Sequence, residues 1–380
     1  MFRGLGSKAL LTVVAACVLG GMLAAQAGKF QQAVALERQG QWKLAESAWR
    51  HILEQDPRNA LACAHLGLVL AHEGDYATAA DDYRRALKLD PRMHGLQLDL
   101  GLAYFKQGKL NDAVPPLKAA VAAMPDNPQA RILLGMSYYG TGKFAEAVPY
   151  LQYAVEQSPE NTQLRGVLAQ ACLYAKHYQC TLEQYKQIMT ASPDSAQAHM
   201  LAGEALDGLK RTDEAIQEFQ AAVKASPSEP NVHFGLGYLY WTQRKYPEAA
   251  EQFRLELKNV PDQVQALTYL GDAEIKMEHP SAAEALLRRA VQQPGANRLA
   301  WIDLGIVLAG QNKNEEAAEE FRHAIQMDPN EVDAHWRLAR LYQAEGKKEE
   351  ARAEFAKASA LHQKEDQSLV QQLTAPAAPK

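Results

Sequence analysis

The chain has 380 residues, 47% hydrophobic and 22% charged, with 18 prolines and 24 glycines. That balance suits a packed protein and excludes a disordered or collagen-like one. The formal charge of −5, with no basic stripe along the sequence, speaks against a nucleic-acid partner, whose phosphates need clustered Lys and Arg.

Arg3 and Lys8 precede an uncharged stretch, residues 9–28, rich in Leu, Val and Ala and closing on Ala25-Gln26-Ala27. A basic start, an apolar middle and an Ala-x-Ala end predict a secretory signal peptide over residues 1–27. Two alternatives stay open. The stretch is long enough to span a bilayer as an uncleaved anchor. Val14-Ala15-Ala16-Cys17 also resembles a bacterial lipoprotein box, although apolar residues continue past Cys17. Because the basic residues lie only on the N-terminal side, all three readings put the rest of the chain outside the cytoplasm. It would be periplasmic or secreted, or membrane-anchored through the N-terminal segment if that is uncleaved. Gly4, Gly6 and Ala9 spell a loose dinucleotide fingerprint, but no strand precedes it and the reading is discarded.

From about Gln26 to Glu365 the sequence repeats every 34 residues without insertion or deletion. Gly67, Gly101, Gly135, Gly203, Gly237, Gly271 and Gly305 keep this beat, as do Pro57, Pro91, Pro125, Pro159, Pro193, Pro227, Pro261 and Pro329. A unit this small cannot bury its own apolar face, so residues 28–365 must form ten stacked units. Residues 60–93 show the design of one. Leu61, Leu66, Leu68 and Leu70 are followed by Gly74-Asp75, then by Tyr76, Ala79, Ala80, Tyr83, Ala86 and Leu87 at three-to-four spacing, and Asp90-Pro91 closes the unit. That is helix, tight turn, helix, stop. The first helix of each unit carries a small residue at its middle. The second carries Ala45, Ala79, Ala113, Ala147, Ala215, Ala249, Ala283, Ala317 and Ala351, with Thr181 as the exception. One turn later come large side chains such as Trp49, Tyr83, Leu117, Phe219, Phe253 and Phe321, which read as knobs between successive hairpins.

Leu100-Gly101, Tyr104, Ala113 and Pro125, and again Leu304-Gly305, Ala317, Phe321 and Pro329, resemble the tetratricopeptide repeat (TPR) family. The resemblance implies an all-α, right-handed superhelical solenoid of about ten helix-turn-helix units, whose first helices line a concave groove. It implies structural rather than catalytic roles for the matching residues. Repeat five, residues 162–195, departs most, with Ala169, Lys176 and Thr181 where the repeat before it has Gly, Gly and Ala, and is expected to stack more weakly. Repeat eight carries Glu278 and Pro280 at its turn, and repeats one and ten fit capping roles.

By this resemblance the inward face carries Leu98, Leu102 and Phe105, then Ile132, Met136 and Tyr139, then Met200, Phe234, Tyr238 and Trp241. So apolar a lining is expected to take an apolar or basic-amphipathic protein or peptide segment. The alternative is that these side chains pack on one another. Glu204, Asp207 and Asp272 flank the aromatic cluster and suit a basic-apolar ligand, or form a solvated rim. The best-known family variant clamps a chain-terminal carboxylate with Lys and Asn; Leu98, Leu102, Ile132 and Met136 stand at those places here. Asp303 and Arg337, at equivalent positions of adjacent units, are expected to pair.

Cys172 and Cys180 lie on the two helices of repeat five and either form a disulfide or remain buried thiols. His65 and His72 share a helix face but lack further metal ligands, and no nucleophile, phosphate-loop or zinc motif occurs. No cofactor and no catalytic residue is expected. Residues 366–380, ending in Thr-Ala-Pro-Ala-Ala-Pro-Lys, read as a flexible tail. The function expected is an exported, non-enzymatic scaffold or adaptor in envelope assembly or secretion. The alternative is an accessory or specificity subunit of an envelope enzyme whose catalytic site lies on another chain.

Overall fold

The computed structural model describes residues 27–374. The expected signal segment, but for Ala27, and the last six residues lie outside them. Among the described residues every regular element is an α-helix, and the helices pair as ten hairpins. The chain divides into two compact units, the first running up to Gln184 and the second from Tyr185.

The first unit opens with α1 (27–38) and α2 (Trp42–Gln55), followed by α3 (Ala60–His72) with α4 (Tyr76–Leu89). Next come α5 (Leu96–Lys106) with α6 (Leu110–Ala123), and α7 (Pro128–Gly140) with α8 (Phe144–Gln157). The last hairpin is α9 (Thr162–Tyr174) with α10 (Tyr178–Ala191), and the division between units falls inside α10. The second unit continues with α11 (Ala196–Gly208), α12 (Thr212–Ala225), α13 (Val232–Thr242), α14 (Tyr246–Asn259) and α15 (Val264–Lys276). It ends with α16 (Pro280–Gln292), α17 (Arg298–Gly310), α18 (Asn314–Met327), α19 (Val332–Ala344) and α20 (Lys348–Thr374).

The repeated Pro ends one unit and an Asn two or three places on often starts the next. Asn59 accepts the Ala62 N–H at 3.0 Å, Asn127 that of Ala130, Asn161 that of Leu164 and Asn297 that of Ala300. Each such cap satisfies one of the orphan amides at a helix start. The turn inside each hairpin places one residue in the left-handed region. Gly40, Gly74, Gly108, Gly142 and Gly346 do so, but so do Lys176, Lys210, Arg244, Glu278 and Asn312, at the same place in the repeat. The conformation survives without glycine because the turn's bonds hold it. The amide three residues beyond each first helix reaches back to a carbonyl five residues earlier, as His177 does to Cys172 at 2.8 Å and Lys245 to Tyr240 at 2.9 Å.

Small residues let the paired helices meet. A Cβ built on Gly67 would lie 2.6 Å from the Tyr83 ring, and one on Gly305 would lie 2.6 Å from the Phe321 ring. Phe219 is gripped from two sides. Gly203 of its own hairpin and Gly235 of the next both face its ring, and a Cβ there would come within 2.6 Å and 2.1 Å of it. These rings are the knobs expected from sequence; Trp49, Tyr83, Phe253 and Leu287 are all fully buried.

Repeat five meets its departures with covalent and polar links. Cys172 on α9 and Cys180 on α10 form a disulfide with Cα atoms 5.8 Å apart, so the alternative of two buried thiols does not hold. Thr181 is fully buried at the alanine position, its hydroxyl donating to the Ala169 carbonyl at 3.2 Å. Cys63 is the free, buried thiol among the described residues.

The expected flexible tail is corrected in part. Helix α20 runs on through residue 365 to Thr374. Residues 357–374 are mostly good helix formers, and the first breaker is Pro376, which disfavours helix in the residue before it.

Candidate functional site

The second unit carries a groove built on its first helices. The N-terminal turn of α13 sets the groove's first wall. Glu229-Pro230 interrupts the usual cap, Asn231 takes a left-handed conformation, and α13 has no side-chain cap of its own. Glu256 from α14 supplies one instead. Its carboxylate, fully buried, accepts the Asn231 N–H at 2.8 Å and the Phe234 N–H at 3.0 Å. A negative charge at a helix N-terminus is favourable twice over, by hydrogen bonding and by the macrodipole. The effect is to fix the backbone that presents Phe234.

From Phe234 the ring planes run along α13. Phe234 and Tyr238 lie 6.4 Å apart with planes 28° from parallel, and Tyr238 and Trp241 lie 6.1 Å apart at 17°. Tyr269 on α15 stands edge-on to all three, 5.4 Å from Tyr238 and 5.1 Å from Trp241. The Trp241 indole N–H donates to Asp272 at 2.6 Å. Trp241 is therefore committed to packing and to a carboxylate, while Phe234, Tyr238 and Tyr269 line an open cavity of about 770 Å³. The two readings of the aromatic cluster divide between residues: Trp241 braces the wall and Tyr238 forms it.

Ile302, Asp303 and Ile306 on α17 and Asp333 and Arg337 on α19 complete the cavity, with Asp272, Lys276 and Arg298. Asp272 is 5% exposed, with the Lys276 ammonium 3.7 Å away. Asp303 is 3% exposed and its Oδ2 has no hydrogen-bond partner. Burial pushes its carboxyl up to about 8; the Asp272 charge adds to the shift, and Lys276 and Arg337 oppose it. The expected Asp303–Arg337 pair does not form. Arg337 donates instead to Asp333, four residues back on its own helix, at 2.7 Å. That partner is half-exposed and needs no desolvation, whereas Asp303 is buried in the cavity lining. Arg298 is likewise taken, by Asp328 and Glu331 at 2.5 Å each.

The other expected residues fall elsewhere. Met200 packs against Ala196, Ala222 and Val232. Glu204 is exposed and Asp207 part-exposed, and neither lines the cavity. In the first unit Leu98, Phe105, Met136 and Tyr139 are part-exposed and rest on the core around Leu117, Leu134 and Leu151. The Tyr139 ring meets Phe144 edge-on at 5.7 Å and its hydroxyl donates to Gln170. Leu102 lines a hollow of about 230 Å³ with Leu68, His72 and Asp99, and Ile132 is part-exposed. His65 stacks on Trp49 at 4.7 Å and meets the Glu37 carboxylate at 3.0 Å, while His72 stacks on Trp42 at 4.1 Å. Among the described residues no three His, Cys, Asp or Glu side chains cluster to hold a metal ion, and no helix is long and apolar enough to cross a membrane.

Sequence reasoning missed Tyr269, Lys276 and Arg298. Tyr269 had a signal: Tyr269, Asp303 and Arg337 occupy one repeat position, and all three line the groove.

Stacked helical hairpins with packing glycines, left-handed turns and a groove on the first helices define a repeat scaffold of the helix-turn-helix class. Tetratricopeptide-repeat family models match residues 30–94, 98–162, 167–230, 234–298 and 268–332, and a second such model matches 308–375. The chain belongs to the tetratricopeptide-repeat family. No curated protein matches it. Among solved structures it is similar to the APC/C hetero-tetramer Cut9–Hcn1, at 13% identity over 88% of this chain and 81% of that one, with a TM-score of 0.50. A tetratricopeptide repeat protein from Parabacteroides merdae is similar at 15% identity over 66% and 98%, TM-score 0.47. YrrB, described as a TPR protein with an unusual peptide-binding site, is similar at 22% identity over 47% and 91%, TM-score 0.42. These likenesses bear on the fold alone.

Proposed function

We propose that the protein is an exported, non-catalytic scaffold that binds partner protein segments through the groove of its second unit, in assembly or secretion at the cell envelope. The observation that carries the reading is the part-exposed wall of Phe234, Tyr238 and Tyr269 over a cavity of about 770 Å³. An apolar, concave surface with a few placed polar groups suits a segment of another chain. The residues that recur every 34 positions are taken up in packing, caps and turns, which leaves recognition to the groove. Export is supported by the basic, apolar, Ala-x-Ala pattern over residues 1–27 and by the Cys172–Cys180 disulfide, a bond that persists in oxidising compartments.

The test is affinity capture with the full chain from envelope extracts, repeated with Tyr238→Ala. Loss of a captured partner with unchanged thermal stability is the expected result. Retention of every partner by Tyr238→Ala would exclude this groove. An enzyme as the sole stoichiometric partner would instead favour the accessory-subunit role.

A further inference from the structure

Around the groove of the second unit nearly every charge is matched. Arg298 is held by Asp328 and Glu331, Arg337 by Asp333, and Asp272 takes the Trp241 N–H with Lys276 beside it. Asp303 is the remainder. It lines the cavity, is 97% buried by its 3% exposure, and offers Oδ2 with no donor. A buried carboxyl oxygen without a partner is unfavourable, and natural proteins keep few of them. What the cavity lacks is therefore a donor. The cations on its lining each have a carboxylate neighbour, so an anionic ligand would compete with Asp272, Asp328, Glu331 and Asp333, whereas a cationic one meets an open acceptor.

The wall beside that acceptor narrows the choice of cation. Phe234, Tyr238 and Tyr269 line the same cavity, and aromatic faces attract cations, planar guanidinium groups above all. We propose that the groove holds an arginine-recognition subsite, in which a guanidinium on the partner segment stacks against the Phe234 and Tyr238 rings, with Tyr269 edge-on beside them, and donates to Asp303. The proposal rests on the scaffold reading and names the side chain by which that groove would select its segment.

The groups facing Asp303 shape its response to pH. From α15 come Asp272, Lys276 and Tyr269; from α19 come Arg337 and Asp333; Arg298 and Glu331 stand at the cavity edge. With burial and Asp272 holding the Asp303 carboxyl near pH 8, the empty site is mostly protonated at neutral pH. A guanidinium then displaces that proton as it binds, so affinity should rise as pH increases toward about 8.

The experiment is isothermal titration of the full chain with acetyl-Ala-Leu-Arg-Leu-Ala-amide, with the same peptide carrying citrulline, and with agmatine. Citrulline keeps the shape of arginine and removes its charge. The arginine peptide should bind at least tenfold more tightly than the citrulline one. Asp303→Asn, a near-isosteric change, should abolish that preference. Between pH 6.5 and 8 the arginine peptide should gain affinity and release a proton. Equal binding of the two peptides, a preference that survives Asp303→Asn, or no binding of the arginine peptide would each overturn the proposal. Agmatine binding as tightly as the peptide would also overturn it, by marking a site for a free cation. The citrulline comparison uses the unmodified chain, so it stands even if a variant folds poorly. If partner capture still depends on Tyr238 while the arginine preference is absent, the scaffold reading stands and this one falls. If the preference is present but Tyr238→Ala keeps every partner, the reverse holds.

Discussion

Gly203→Ala tests the packing logic of the array most sharply, because two effects of opposite sign meet there. Replacing a glycine inside α11 by alanine should stabilise an isolated helix by up to ~1 kcal/mol. Here the new Cβ would stand 2.6 Å from Phe219 Cδ2 and 3.3 Å from the Ala215 carbonyl oxygen. The ring cannot retreat, since Gly235 of the next hairpin already grips its other edge and the side chain is 3% exposed. Overpacking of this kind costs about 1–3 kcal/mol, and a pinned ring belongs at the upper end. The net expectation is a loss of about 1–2 kcal/mol. In a Phe219→Ala background, itself destabilised by about 3–5 kcal/mol, the clash is gone and only the helix gain remains. There Gly203→Ala should be neutral or stabilising. Urea denaturation combined with amide hydrogen exchange across α11, α12 and α13 reads both values. The same effect in both backgrounds, or a stabilised Gly203→Ala in the otherwise unmodified chain, would refute the close-approach account of the recurring small residues.

Glu256→Gln keeps one acceptor oxygen and loses the charge at the α13 N-terminus; a loss of about 1–3 kcal/mol is expected, with faster exchange of the Asn231 and Phe234 amides. Asp303→Asn should reveal a pH-dependent gain. The folded carboxyl binds its proton up to about pH 8 whereas the unfolded one releases it near 4, so this group's contribution to stability falls by about 1.4 kcal/mol per pH unit between those limits. The variant should therefore be increasingly more stable than the parent chain from acid to neutral pH in thermal melts, with the difference level above about 8; equal pH profiles would show that Asp303 titrates normally. Reduction of Cys172–Cys180 opens a short loop and should loosen α9 and α10 by about 2–3 kcal/mol, seen as faster local exchange. Residues 162–195 should exchange faster than residues 94–161 once that bond is reduced; equal rates would remove the idea that repeat five stacks weakly.

The period of 34 made the hairpins legible because each recurring residue has a local reason to recur. A proline stops a helix, a small residue admits a ring, and both act within a few residues of themselves. The turns were legible in position but not in chemistry: Lys176, Lys210, Arg244, Glu278 and Asn312 hold the conformation that Gly74 holds, because back-bonds such as His177 to Cys172 enforce it. The site was legible in Phe234, Tyr238 and Asp272, which lie on repeat positions facing inward. It was not legible in the division of labour among them. That Trp241 spends its N–H on Asp272, or that Arg337 prefers Asp333 to Asp303, depends on burial differences that spacing does not encode. The tail misled for a simpler reason, since the helix formers before Thr374 were read together with the prolines after it.

The shared grip on Phe219 has a consequence for anyone who would shorten this protein. Sequence divides the chain at its prolines, yet a fragment ending at Ser226-Pro227 would keep Phe219 and discard Gly235, leaving an aromatic edge bare to water. Such a piece should be sticky and prone to self-association. A fragment carried on through α13 keeps the ring sheathed on both edges. The natural place to trim here is thus one helix later than the repeat boundary, so that a segment ending near Phe219 closes on α13 rather than on a whole hairpin.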